Sequence, residues 1–191
     1  MPLMCINRKH FDRLVGKKFG DEKLKDRLAM LGTDVEEITN DEITVEIFPN
    51  RIDMLSAPGL ARAFSSFVGL NTGLRKYVVK KSGVKVKIDR SVKAVRPFTV
   101  CAVVKRLRFD NEKIKEIIQL QEKLHLTLGR KRKKLAIGIY PFEKIKPPIR
   151  YFASDPRKIR FKPLDYPGVI SGLEILSKHP AGREYGYLLE G

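Results

Sequence analysis

Asn50-Arg51-Ile52-Asp53-Met54-Leu55-Ser56-Ala57-Pro58-Gly59-Leu60-Ala61-Arg62 ends one element and starts the next. Just before it, Glu42–Phe48 alternates Ile43, Val45 and Ile47 with polar residues, the period of a half-buried strand. Pro49-Asn50-Arg51 breaks that strand, and Arg51 and Asp53 are spaced to pair across a turn. Ser56 can cap a helix whose first turn tolerates Pro58. Leu60, Ala61, Phe64, Phe67 and Val68 then form its buried stripe.

Upstream, Val35–Thr39 pairs with 42–48 through Asn40-Asp41, a hairpin signal. Pro2 to Ile6 predicts a short strand. Asn7 caps a helix over Arg8–Val15 that Gly16 ends. Asp21 is the expected cap of a second helix, with Leu24, Leu28 and Leu31 on one face and Gly32 as its stop. Residues 1–75 therefore read as a lead domain of strand, two helices, hairpin and helix, an α+β arrangement. Residues 76–83 are basic, end in Ser82-Gly83 and form a linker.

Residues 84–191 read as a larger mixed α/β domain. It opens with alternating Val84, Val86 and Ile88, and Pro97–Leu107 is a long β-rich run. Asp110 caps a helix that runs to Leu128 and stops at Gly129. Arg130-Lys131-Arg132-Lys133-Lys134 follows and leads into an apolar strand, Leu135–Tyr140. Pro147-Pro148 marks a rigid turn, and Ile149–Ala153 and Ile159–Lys162 are short strands. Ser171 to Lys178 is a short helix, and Tyr185–Leu189 a last strand.

The net charge of +17 points to a polyanionic partner. Residues 1–80 hold 13 Lys/Arg against 11 Asp/Glu, and residues 81–191 hold 26 against 11, so the attraction lies in the second part. A merely heat-adapted surface would carry more Glu beside its Lys. Cys5 and Cys101 sit in apolar runs outside any C-x-x-C pair and read as buried free thiols. No apolar run approaches the roughly 18 residues of a membrane helix, so no membrane partner is expected. Phosphate-loop and zinc-hydrolase motifs are absent, and the three histidines lie far apart in the chain.

Two constellations remain. Five consecutive cations, residues 130–134, repel one another more than helix capping or edge protection requires, which favours phosphate contact. On the helix after Asp110, Gln121 and His125 fall within about 20° of Ile114, at the centre of the face bearing Ile117, Ile118, Leu124 and Leu128. Buried polar groups must find partners. The pair therefore either lines a polar cleft or is satisfied by backbone inside the core.

The stretch 50–62 resembles the N-R-P-D-L-L-S-x-x-G-x-A-R signature of phenylalanyl-tRNA synthetase β subunits, with Ile52 where the family usually has Pro. Gly129–Tyr140, Ile145-Lys146-Pro147-Pro148-Ile149, Leu173-Glu174-Ile175-Leu176, His179-Pro180 and Gly182–Gly186 resemble the archaeal and eukaryotic version, in order. Family β subunits continue for several hundred residues. The resemblance therefore implies an N-terminal portion, with residues 84–191 the first part of a tRNA-editing domain whose pocket continues later. It implies a cytoplasmic heterotetramer with the α subunit and the remainder of the β subunit, charging tRNA(Phe). ATP and Mg²⁺ would serve the holoenzyme, with no cofactor in this stretch. The β subunit would also hydrolyse tyrosine wrongly attached to that tRNA, since an apolar pocket rejects an added hydroxyl by only about 10²-fold. His125 and Gln121 would then be catalytic, orienting water or the terminal ribose, and Arg130, Lys131, Arg132, Lys133 and Lys134 would hold acceptor-end phosphates. The alternative is a non-catalytic module for tRNA docking and subunit architecture.

Overall fold

A computed structural model describes residues 3–189. The chain forms two compact units, one of residues 1–78 with 107–137, the other of 79–106 with 138–191. This division differs from the boundaries expected from sequence, because the helix after Asp110 groups with the lead residues.

In the first unit the elements are β1 (Leu3–Asn7), α1 (Arg8–Val15), α2 (Asp21–Met30), β2 (Thr33–Ile38), β3 (Glu42–Ile47), α3 (Ala57–Phe67) and α4 (Asn111–Leu126). The sheet order is β1-β3-β2, antiparallel throughout, with Met4 opposite Val45, Ile6 opposite Ile43 and a bulge between Val35 and Glu37. The alternation seen in sequence buries Met4, Ile6, Ile43, Val45 and Ile47 on one face. Phe64 of α3 meets the edges of Phe11 and Phe19 with centroids 5.7 and 5.2 Å away. Burying a side chain of that size contributes roughly 2–3 kcal/mol. Phe67, expected in the same stripe, is exposed because Phe64 and Leu60 already take the inner side.

Side-chain caps set the helix starts. Asn7 accepts from His10 N–H, Ser56 from Gly59 N–H, and Gly16 closes α1 at φ 83°. Asp21 is a correction. Gly20 holds the capping position without a side-chain bond, and Asp21 lies inside the first turn of α2. Its carboxylate is used by Arg8, which is buried and donates to Asp21 at 2.8 Å, to the Phe19 carbonyl at 2.5 Å and to Asp12 at 3.3 Å. An arginine fully supplied with acceptors can be buried without an unpaired charge.

The second unit contains β4 (Val86–Ile88), β5 (Ile149–Tyr151), β6 (Arg160–Phe161), β7 (Ile170–Ser171), α5 (Gly172–Lys178) and α6 (Pro180–Tyr185). β4 and β5 pair in parallel, and β6 and β7 antiparallel. Tyr151 Oη donates to the Arg96 carbonyl at 3.0 Å, and Asp89 accepts from Arg150 at 3.0 Å. Ser171 and Glu174 form a full capping box on α5. The Pro147–Pro148 bond is cis.

Several expected strands do not form. Pro97–Leu107 has strand-type residues but no strand neighbour, and Phe98 and Val100 stand 90% and 97% exposed. Leu135–Tyr140 likewise joins no ladder. Residues 185–189, expected as a strand, complete α6 and a single 3₁₀ turn. Cys5 and Cys101 are both exposed: Cys5 alternates onto the outer face of β1, between buried Met4 and Ile6, and Cys101 lies in a segment that joins no ladder. Pro2, expected to open β1, lies outside the described residues.

Gly59 is required by space. A Cβ there would strike the Asp53 carbonyl oxygen. Gly59→Ala is expected to lower stability by roughly 2–3 kcal/mol in urea unfolding followed by circular dichroism. In the second unit, Asp89 is held down to about 2, chiefly by the Ser91 backbone N–H, then the Ser91 side chain and Arg150. Glu174 is also held at about 2, by the Ser171 backbone N–H, then Lys178 and the Ser171 hydroxyl. Both bind protons less readily folded than unfolded. Their contribution is therefore complete above the ordinary values of 3.8 and 4.5 and fades as pH falls toward about 2. Melting temperatures should drop across that window, and Glu174→Gln should flatten the drop.

Candidate nucleic-acid interface

α4 carries Gln121 and His125, and the basic run 130–134 follows its end. Asp110 caps it by accepting from Lys113 N–H at 2.8 Å. Leu120 and Leu124 turn toward the core of the first unit, whereas Ile114, Ile118 and Leu128 are exposed. The helix is thus rotated relative to the face expected from Ile114. Gln121 and His125 lie on a flank of it, under residues 129–137, rather than at the centre of the apolar face.

There they are bound to one residue. Gln121 Nε2 donates to the Ile137 carbonyl at 2.6 Å, and Ile137 N–H donates to His125 Nε2 at 2.7 Å. Both backbone groups of Ile137 are satisfied as a strand neighbour would satisfy them. Ile137 therefore lies outside any β ladder with both backbone groups satisfied. The imidazole is 2% exposed. Since Nε2 accepts, the proton of the neutral ring resides on Nδ1, which is 3.5 Å from Glu122 Oε1 and has no hydrogen-bond partner. Of the two readings open from sequence, a polar cleft or backbone partners, the second describes this pair.

The basic run is a tight left-handed turn. Arg130, Lys131 and Arg132 have φ of 48°, 54° and 66°. Their N–H groups, with that of Gly129, bond back to the carbonyls of Thr127, Leu126, His125 and Leu124. The carbonyl end of α4 is therefore capped by the backbone of the cationic segment itself. Arg132 is half-buried and donates to Glu122 at 2.6 Å, while Arg130, Lys131, Lys133 and Lys134 are exposed around it. Glu122, unmarked by any sequence pattern, anchors the turn. Gly129 is needed because a Cβ would meet the His125 carbonyl at 2.6 Å and that of Leu135 at 2.9 Å.

No family profile matches the chain. Individual relatives do. The phenylalanine–tRNA ligase β subunit of Methanothrix thermoacetophila is 43% identical over 192 residues, spanning all of this chain and 35% of that protein. The β subunit of Archaeoglobus fulgidus is 41% identical over 191 residues, covering 100% of this chain and 34% of its own length. An N-terminal fragment of the phenylalanyl-tRNA synthetase β subunit from Pyrococcus horikoshii, solved by crystallography, superposes with a TM-score of 0.88 at 40% identity. The chain belongs to the phenylalanyl-tRNA synthetase β-subunit family. It spans about a third of the length of the curated relatives and 55% of the solved fragment.

The synthetase-family signature at 50–62 is spent on structure. Arg51 makes two 3.0 Å bonds to Asp53 and reaches the Leu31 carbonyl at 3.3 Å. Its hydrogen bond with Asp53 is the main reason the Arg51 pKa is raised and the Asp53 pKa lowered. Ser56 and Gly59 then fix the start of α3. Ile52, in place of the usual Pro, sits in a one-turn 3₁₀ segment that keeps this pairing.

Removing the His125 ring leaves Ile137 N–H without its acceptor, at a cost of about 1–3 kcal/mol. His125→Ala is therefore expected to lower the melting temperature and speed hydrogen exchange at residues 135–137. Unchanged exchange there would refute the clamp.

Proposed function

We propose that this chain acts within a phenylalanine–tRNA ligase as a tRNA-docking and architectural portion of the β subunit. The observation that carries this reading is the rigid cationic turn at the end of α4. Of four exposed cations, Arg130 and Lys131 have their backbone N–H groups tied to the end of α4 at Thr127 and Leu126, and Lys133 and Lys134 have theirs tied to Arg130 and Gly129 within the turn. A phosphate ligand would meet a backbone already held in place, so only the side chains remain to be ordered on binding. The units also share the positive charge, with 18 Lys/Arg against seven Asp/Glu in residues 79–106 and 138–191.

Hydrolytic editing of tyrosine mischarged on tRNA(Phe) is the second reading, drawn from the family. Because Gln121 and His125 are committed to Ile137, in this reading they position residues 135–137 rather than touch the ester. The exposed strand-type run 97–107 suits pairing with further β-subunit polypeptide, and assembly with an α subunit in the cytoplasm follows from the same reading. Among the described residues no group of three or more His, Cys, Asp or Glu could hold a metal ion. Nor, among them, is any helix long and apolar enough to cross a membrane.

Binding of tRNA(Phe) across a salt series tests the docking role. Lys131→Ala with Lys133→Ala should reduce the slope of log K against log salt by about 1–2 units. An unchanged slope would remove the phosphate contact. Tyrosyl-tRNA(Phe) deacylated by the chain in a His125-dependent way, at matched thermal stability, would instead return His125 to the chemistry.

A further inference from the structure

A second side of α4 carries Glu112, Lys115, Glu116, Gln119 and Lys123, spaced so that they follow one row along the helix. That row faces β1 and the first turn of α1 across a cavity of about 240 Å³. The residues that line the cavity include Cys5 and Lys123, two potential nucleophiles from distant parts of the chain. Cys5 is open to solvent. His10 lines the same cavity and donates from Nε2 to Glu116 at 2.9 Å, which leaves Nδ1 as the basic nitrogen of the neutral ring.

The surroundings of Lys123 favour its nucleophilic form. Burial lowers its pKa, and the only opposing influence comes from the nearby Cys5. A lysine amine reacts only when neutral, so desolvation raises the reactive fraction. Neither residue has a task in the clamp at Ile137 or in the cationic turn.

We propose that Cys5 and Lys123 form a self-acylation site that takes acyl groups from small thioesters. The Cys5 thiolate attacks the acyl carbon of the donor. A new carbon–sulfur bond forms, the donor's carbon–sulfur bond breaks, and the donor leaves as a thiol with the proton Cys5 gave up. The Lys123 amine then attacks the acyl carbon held on Cys5. A carbon–nitrogen bond forms, the Cys5 thiol is regenerated, and the amine's lost proton returns to the departing sulfur. His10, oriented by Glu116, carries the proton in both steps. No oxidant or reductant is consumed. The product is an amide at Lys123, which removes one positive charge from the side of α4 that faces β1 across the cavity.

The test incubates the full chain with acetyl-coenzyme A and follows acetylation of each lysine by peptide mass spectrometry. Lys123 should acetylate at least about tenfold faster than the exposed lysines, the advantage of a neighbouring acyl donor. Cys5→Ser should remove that advantage, and Cys101→Ser should not. In Lys123→Arg the acyl group should remain on Cys5 and be released by hydroxylamine. Lys123 reacting no faster than its fellows, or equally fast in Cys5→Ser, would overturn the proposal. So would the lack of a hydroxylamine-labile acyl group in Lys123→Arg.

Discussion

A helix ends with four carbonyls that have lost their partners, and the far end of α4 meets that requirement in an unusual way. The carbonyls of Leu124, His125, Leu126 and Thr127 are met by the N–H groups of Gly129, Arg132, Lys131 and Arg130. Such a path needs left-handed backbone at three successive non-glycine residues, each disfavoured by about 1–2 kcal/mol. Four hydrogen bonds at about 1 kcal/mol each, together with the Arg132–Glu122 ion pair, offset that strain. The positions of the cations follow from backbone geometry, and so does the return of the chain along α4 as far as Ile137.

That return explains why Gln121 and His125 are polar. A segment without a strand partner still has a donor and an acceptor to satisfy at each residue, and at Ile137 two side chains supply what a ladder would. Leucine or isoleucine at either position would pack well and leave a backbone group unpaired. Along 97–107 apolar side chains face outward, and among the described residues the segment joins no ladder. The two segments have similar compositions, and they differ in whether a neighbouring helix offers them bonds.

Short-range rules made much of this fold legible. Asn7, Ser56 and Asp110 cap where their side chains and spacing predict. The alternation of Ile43, Val45 and Ile47 identified the central strand. What sequence could not give is long-range. Residue preference marks 97–107 and 135–140 as strands, but a strand also needs a neighbour. The periodicity of α4 gave the helix and not its rotation, which Leu120 and Leu124 settle by packing on the core built from Met4 to Phe64. For His125 the two readings, cleft and backbone partner, were both open, since a helical wheel does not show what covers a face. Arg8, Glu122 and Lys123 left no local signal, because their partners come from other turns of the chain.

The bulged β2 has one further effect. In the order β1-β3-β2 it is an outer strand, and its irregularity makes it a poor template for another chain. Between Arg27 and Arg51 the polypeptide has no lysine or arginine and six acids, so this hairpin is a negative tongue on a strongly positive molecule. A nucleic acid drawn in by the overall field would be repelled there, and the hairpin would act as a fender that limits the directions of approach.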